Sequence, residues 1–173
     1  MKKVKNHQIN PFNYEVFYAG ISAPLRKSLA GALWLNRLNL LLTRAVYVIY
    51  PLFVLDLLWK RDGRWVKVTV VPAVFFVLLS VVRRGVNRPR PYETWNLNPL
   101  ITKDTSGKSM PSRHVFSAAI IAMAFLSVWK PMGIFFLIWS FLLAVVRVLG
   151  GVHYPSDVLC GFLIGVLAGG LML

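Results

Sequence analysis

Residues 113–149 read RHVFSAAIIAMAFLSVWKPMGIFFLIWSFLLAVVRVL, and this stretch decides the fold class. Two uncharged runs, 115–129 and 131–146, hold 15 and 16 residues and meet at Lys130-Pro131. Proline ends a preceding helix and readily opens the next, so the break predicts a tight antiparallel hairpin of two apolar helices. Neither run reaches the roughly 20 residues an α-helix needs to cross a bilayer. Each must borrow length from its polar flank, which puts Arg113, His114 and Arg147 at the membrane surface or just inside it. A third run, 158–173, has 16 residues and the same shortfall.

Working outward, residues 38–59 and 66–82 form two more apolar segments, for five spans. Residues 14–35 have a helical pattern but contain Glu15, Pro24, Arg26, Lys27 and two glycines. That suits a helix lying in the interface, with a sixth span as the alternative. The basic start at Lys2, Lys3 and Lys5 lacks the apolar core of a signal peptide, so no cleaved leader is expected. The expectation is an all-α, polytopic transmembrane helical bundle in a single domain, 1–173. Its parts are an N-terminal interfacial segment over 1–37 and a helical core over 38–173. Gly161, Gly165 and Gly169, at spacing four in the last span, form a small-residue stripe for close helix packing.

The composition agrees. Of 173 residues 57% are hydrophobic and 15% charged, which excludes a disordered chain, and one cysteine excludes a disulfide scaffold. Twenty Lys and Arg face six Asp and Glu, a formal net charge of +14. A nucleic-acid binder would carry that charge on a more polar chain, so the expected partner is the lipid bilayer and no nucleic acid.

Counting helices then places the polar residues. Residues 84–112 are too polar to span and must begin and end on one face of the membrane. Arg83, His114 and the 147–157 region therefore share that face. Three polar clusters lie there: 83–91, RRGVNRPRP; 108–114, KSMPSRH; and 147–157, RVLGGVHYPSD. Residues 83–113 include seven Lys or Arg and two acids, too few carboxylates to pair them. Charges at membrane depth need partners, and an anionic ligand is the natural one. Arginine favours phosphate oxygens because its planar fork donates two parallel hydrogen bonds. A basic loop beside a membrane helix is also commonly a topology signal or an anionic-lipid contact. Two of the chain's three histidines fall within these clusters, which favours chemistry.

The local pattern says which chemistry. Ser112 is placed to cap the helix that begins at residue 113, and free backbone N–H groups at such a helix start can hold an anion. Gly150-Gly151 ends one helix and Pro155 begins the next. Asp157, four residues after His153, can accept a hydrogen bond from one imidazole nitrogen and leave the other as a nucleophile. His114 can protonate a leaving oxygen. The sequence has no metal-ligand spacing and no Gly-rich nucleotide loop, so no metal and no cofactor are expected. These residues suit a metal-independent phosphoryl transfer through phosphohistidine.

The three clusters resemble the signature of the type 2 phosphatidic acid phosphatase (PAP2) superfamily, which also includes vanadium-dependent haloperoxidases. Its first block is Lys, six residues, Arg-Pro; here Arg83 precedes Arg90-Pro91 at that spacing. Its second, Pro-Ser-Gly-His, corresponds to Pro111-Ser112-Arg113-His114. Its third, Ser-Arg, five residues, His, three residues, Asp, corresponds to Val146-Arg147, His153 and Asp157. The resemblance implies that His153 is the nucleophile, Asp157 orients it and His114 is the general acid. It also implies that Arg83, Arg90, Arg147, Ser112 and the residue 113 backbone bind the phosphate. Arg84, Arg88, Lys103, Lys108 and Arg113 are expected as supporting charges. The departures are Arg83 for Lys, Val146 for Ser and Arg113 for Gly; a left-handed backbone at residue 113 would strain an arginine.

The implied activity is hydrolysis of a lipid phosphate or diphosphate in the cell membrane. Undecaprenyl diphosphate leads the candidates, followed by phosphatidylglycerophosphate, phosphatidic acid and lipid A 1-phosphate. Transfer to another acceptor and non-enzymatic binding of anionic lipid are the rival readings. Lys60, Arg61, Arg64, Lys67 and Lys130 fall opposite the site face, so the positive-inside rule puts the site on the extracytoplasmic side. With five spans, Lys2, Lys3 and Lys5 fall on the site side and argue the other way, a conflict a sixth span would remove.

Overall fold

A computed structural model describes residues 13–102 and 105–173. Lys2, Lys3, Lys5 and Lys103 lie outside the described residues. The described chain is helical, with no strand. In order come α1 (Tyr14–Arg26), α2 (Leu29–Trp59), α3 (Arg64–Val86), the single turn α4 (Pro91–Thr94), α5 (Arg113–Val128), α6 (Lys130–Leu149) and α7 (Pro155–Gly169). A 3₁₀ turn at Gly170–Met172 ends the chain. Four helical stretches are long and apolar enough to cross a membrane; α5, at 16 residues, is shorter. Together they are the five apolar segments of the sequence.

Two boundaries differ from expectation. The helical pattern of 14–35 is two helices, broken where the Ser28 hydroxyl accepts a hydrogen bond from the Gly31 N–H at 3.1 Å and caps α2. Residues 29–37 thus belong to the first span, and the interfacial segment ends near Lys27. With 13 residues at 1.5 Å each, α1 is about 20 Å long, too short for a sixth span across a ~30 Å core. It lies instead along the site face. There the Leu100 N–H donates to Tyr18 Oη at 3.2 Å, and the Asn96 N–H donates to Glu15 Oε1 at 2.9 Å.

The short apolar runs gain length as expected. Helix α6 takes in Lys130 and Arg147, α5 starts at Arg113, and α7 encloses Asp157. One residue, Trp129, separates α5 from α6, and a Cβ on Gly133 would sit 2.3 Å from Leu126 Cα. The hairpin closes because glycine has no side chain at that crossing.

Helix α5 is the axis of the bundle, burying Ala118, Ala119, Ala122 and Ala124 along with Phe116 and Ile120. Lipid tails are as apolar as leucine, so small residues and close van der Waals contact hold such helices together. The glycine stripe of α7 lies on α5. Cβ atoms at Gly161, Gly165 and Gly169 would come within 2.5 Å of Ser112 O, 2.7 Å of Ala119 Cβ and 2.3 Å of Met123 Cβ. This contact fixes Asp157, at the start of α7, beside Ser112, at the start of α5: the Ser112 N–H donates to Asp157 O at 2.8 Å.

Candidate active site

Helix α3 is capped by Asn87, whose left-handed φ of 38° turns the chain over the top of the bundle. Arg83, on the last turn, is buried and donates through both terminal nitrogens to the carbonyls of Pro111 and Lys108. Arg90, just before α4, is also buried and donates to Gly107 O at 3.2 Å and Val152 O at 3.1 Å. Glu93, three residues later, accepts from the N–H groups of Arg90 at 2.6 Å and Gly107 at 2.9 Å. The first cluster is thereby fastened to the second.

These arginines line a polar cavity of about 280 Å³ together with Lys108, Arg113, His114 and His153. No carboxylate is among the described residues that line it. Arg113 is the first residue of α5 and has a helical backbone, so the strain anticipated there does not arise. Its side chain is exposed and passes 5.4 Å from the Phe76 ring centre. Ser112 occupies the N-cap position, but its hydroxyl makes no cap bond. Among the described residues that buried hydroxyl has no partner. Arg147 is 3% exposed; its Nη1 donates to Asn39 Oδ1 at 3.1 Å, while Nε and Nη2 find no described partner.

His153 lies in the loop between α6 and α7, where Gly151 adopts φ 74° at the reversal. The imidazole is 1% exposed. Burial pushes its pKa well below the ordinary histidine value, opposed by Asp157 and reinforced by the nearby Arg147 and Arg90. It is held neutral, with a lone pair on one ring nitrogen. Asp157 Oδ2 is 3.5 Å from His153 Nδ1. Shorter contacts engage the same carboxylate: Ser109 Oγ at 2.5 Å, the Tyr154 N–H at 2.9 Å and, on Oδ1, Arg88 Nη1 at 2.7 Å.

The structure therefore brings together His114, His153, Arg83, Arg90 and Arg113 around one cavity, with Asp157 directly behind His153. Three residues have a larger part in the site than their sequence pattern discloses. Ser109 stood in the second cluster without a role, Arg88 was counted only as a supporting charge, and Asn39 was an unremarked polar residue in a span. Glu93, a fourth, does carry a local signal, at the capping-box distance from Arg90.

The family model of the PAP2 superfamily matches residues 64–173. An undecaprenyl-diphosphatase of Sulfolobus acidocaldarius is 31% identical over 121 residues, 69% of this chain and 59% of that protein. A lipid A 1-phosphatase of Rhizobium etli is 27% identical over 108 residues, 58% of this chain and 46% of that protein. The chain thus spans about half the length of these curated relatives. In three dimensions it is similar to Aquifex aeolicus LpxE, with TM-score 0.73 and 23% identity, covering 95% of this chain and 97% of that one.

Proposed function

We propose, from the premise that the chain belongs to the PAP2 superfamily, that it is a membrane phosphatase acting on a lipid phosphate or diphosphate through His153. One observation carries the reading: the buried imidazole of His153 borders a cavity lined by Arg83, Arg90, Lys108 and Arg113, with no carboxylate among the described lining residues. A phosphate group would supply the negative charge this arrangement lacks.

In the proposed reaction, a lone pair on His153 forms a bond to phosphorus while the bond from phosphorus to the leaving oxygen breaks. Protonated His114 gives its proton to that oxygen. Water then attacks the phosphohistidine, His114 takes a proton from the water, and inorganic phosphate departs with His153 restored. Arg83, Arg90 and Arg147 hold the phosphoryl oxygens, and the Arg113 and His114 N–H groups at the start of α5 add to that hold.

A route for the lipid tail supports a lipid substrate. His114 and Ser117 border a narrow space that also touches Val46 and Tyr47. Those two residues continue into an apolar groove of about 460 Å³ between α2, α3 and α5. Undecaprenyl diphosphate is the leading substrate, favoured by the relative that matches the larger share of the chain. The site faces the extracytoplasmic side, since Lys60, Arg61, Arg64, Lys67 and Lys130 gather at the opposite end. There Arg64 Nη1 donates to Ser127 O at 3.3 Å and ties the two turns together.

Purified protein in detergent should release phosphate from a panel of undecaprenyl diphosphate, phosphatidylglycerophosphate, phosphatidic acid and lipid A, without added divalent metal. Vanadate should inhibit it. Full activity in His153→Ala would sink the assignment of the nucleophile, and product analysis with an alcohol acceptor separates hydrolysis from transfer. For sidedness, a cysteine at residue 62 in a Cys160→Ser background should resist labelling from outside intact cells; ready labelling would reverse the orientation.

A further inference from the structure

We propose that Ser109 is a positioning residue, and that its hydroxyl, rather than direct contact with Asp157, fixes the tautomer of His153. The proposal rests on the reading of His153 as nucleophile, but its geometry is independent of the substrate.

Ser109, His153 and Asp157 are all buried, at 0%, 1% and 0% exposure. Asp157 Oδ2 is 3.5 Å from His153 Nδ1 and Ser109 Oγ 3.3 Å, both longer than the 2.7–3.2 Å of an ordinary N–H···O bond, with Ser109 the nearer acceptor. Ser109 Oγ fits between the two, 2.5 Å from Asp157 Oδ2 and 3.3 Å from His153 Nδ1. Donor accounting sets the direction. An ionised carboxylate only accepts, and Asp157 already accepts from Arg88 and Tyr154. The single hydroxyl hydrogen of Ser109 must point to Asp157, which leaves an oxygen lone pair facing Nδ1. A neutral imidazole then satisfies the contact only with its proton on Nδ1, so the lone pair is on Nε2.

The backbone holds Ser109 in place. Gly107 and Lys108 have successive left-handed φ values of 59° and 51°, and the Ser109 N–H donates to Arg88 O at 2.9 Å. Arg83 grips the carbonyl of Lys108 immediately before it. A phosphate-binding arginine and the imidazole relay therefore share one strand of loop.

The test reads the tautomer directly, by nitrogen NMR of histidine-labelled protein in detergent micelles, with a His153→Gln sample to assign the signal. Wild type should carry the His153 proton on Nδ1. Ser109→Ala should give a mixture of tautomers, and kcat should fall on the order of tenfold, the worth of a hydrogen bond to a charged group, with KM unchanged. Ser109→Thr, which keeps the hydroxyl, should restore both. Where the alanine variant does not fold, Ser109→Cys keeps the volume with a much weaker donor and should give the same mixture. A retained Nδ1–H tautomer in the alanine or cysteine variant overturns the proposal. Absence of phosphatase activity in wild type would sink the functional reading alone, because the NMR signal does not depend on turnover.

Discussion

Arg88 Nη1 lies 2.7 Å from Asp157 Oδ1, and the same guanidinium stacks 4.1 Å above the Tyr154 ring centre. One end of this pair is in solvent and the other is not: the Arg88 side chain is one-third exposed, while Asp157 is fully buried. A buried carboxylate is tolerated only when its charge is met by donors, and among the described residues Arg88 supplies the only full positive charge in the hydrogen bonds this one accepts. The pair also joins the first sequence cluster to the third, across 69 positions of chain.

Arg88→Gln should therefore weaken the protein without dismantling the basic cavity, which Arg88 does not line. Removing a hydrogen bond to a buried charge costs about 1.5–3 kcal/mol, and partial exposure of Arg88 argues for the lower end. The expected result is a lower unfolding midpoint in detergent with a reduced kcat and nearly unchanged vanadate inhibition. An unchanged midpoint would show that Asp157 is adequately held by Ser109 and Tyr154.

Asn39 is the only described partner of the Arg147 side chain, and it comes from α2, outside all three clusters. Asn39→Leu would leave a buried guanidinium with one more unsatisfied donor and free it to turn. Inhibition by vanadate should weaken about fivefold, the equivalent of roughly 1 kcal/mol for one lost hydrogen bond. Equal inhibition curves for variant and wild type would show that Arg147 is positioned by its helix alone.

The difference between Arg147 and Asn39 marks the limit of what the sequence discloses. That Arg83, Arg90, His114 and His153 come together at one cavity was legible because fixed spacings and a count of helices put them on one face. The hairpin at Lys130-Pro131 was legible for the same local reason. Asn39 meets Arg147 across 108 positions and Ser109 meets Asp157 across 48, and no periodicity encodes which polar residue of one span meets which arginine of another. The break between α1 and α2 is a different case. Ser28 after Lys27 is an N-cap signal in plain view, obscured by the continuous helical pattern on either side of it.

The glycine stripe yields a prediction that links packing to the site. A Cβ at Gly161 would meet Ser112 O at 2.5 Å, a backbone atom that cannot swing aside, whereas nothing lies within 4 Å of a Cβ at Gly63. Gly161→Ala should force α7 away from the start of α5, with the 1–3 kcal/mol typical of overpacking and a loss of activity. Gly63→Ala is the control and should behave as wild type in both respects. If Gly161→Ala keeps its unfolding midpoint, the close approach of the two helices is not required.

His153 should also leave a signature in the pH dependence of stability. Its loop lies outside the spanning helices, and burial lowers its pKa in the folded protein from the ordinary 6.5. The unfolded chain therefore binds this proton first as pH falls. In the window below 6.5 the unfolded state holds more protons than the folded one, so stability rises with pH and is lost on acidification. One such group contributes a slope of at most about 1.4 kcal/mol per pH unit, fully relieved above the unfolded value. Unfolding midpoints measured from pH 7.5 down to 5 should fall more steeply for wild type than for His153→Gln, which has no proton to take up at this position. Parallel slopes would mean that the folded protein accommodates a charged imidazole there, and the picture of a neutral nucleophile enforced by burial would fail.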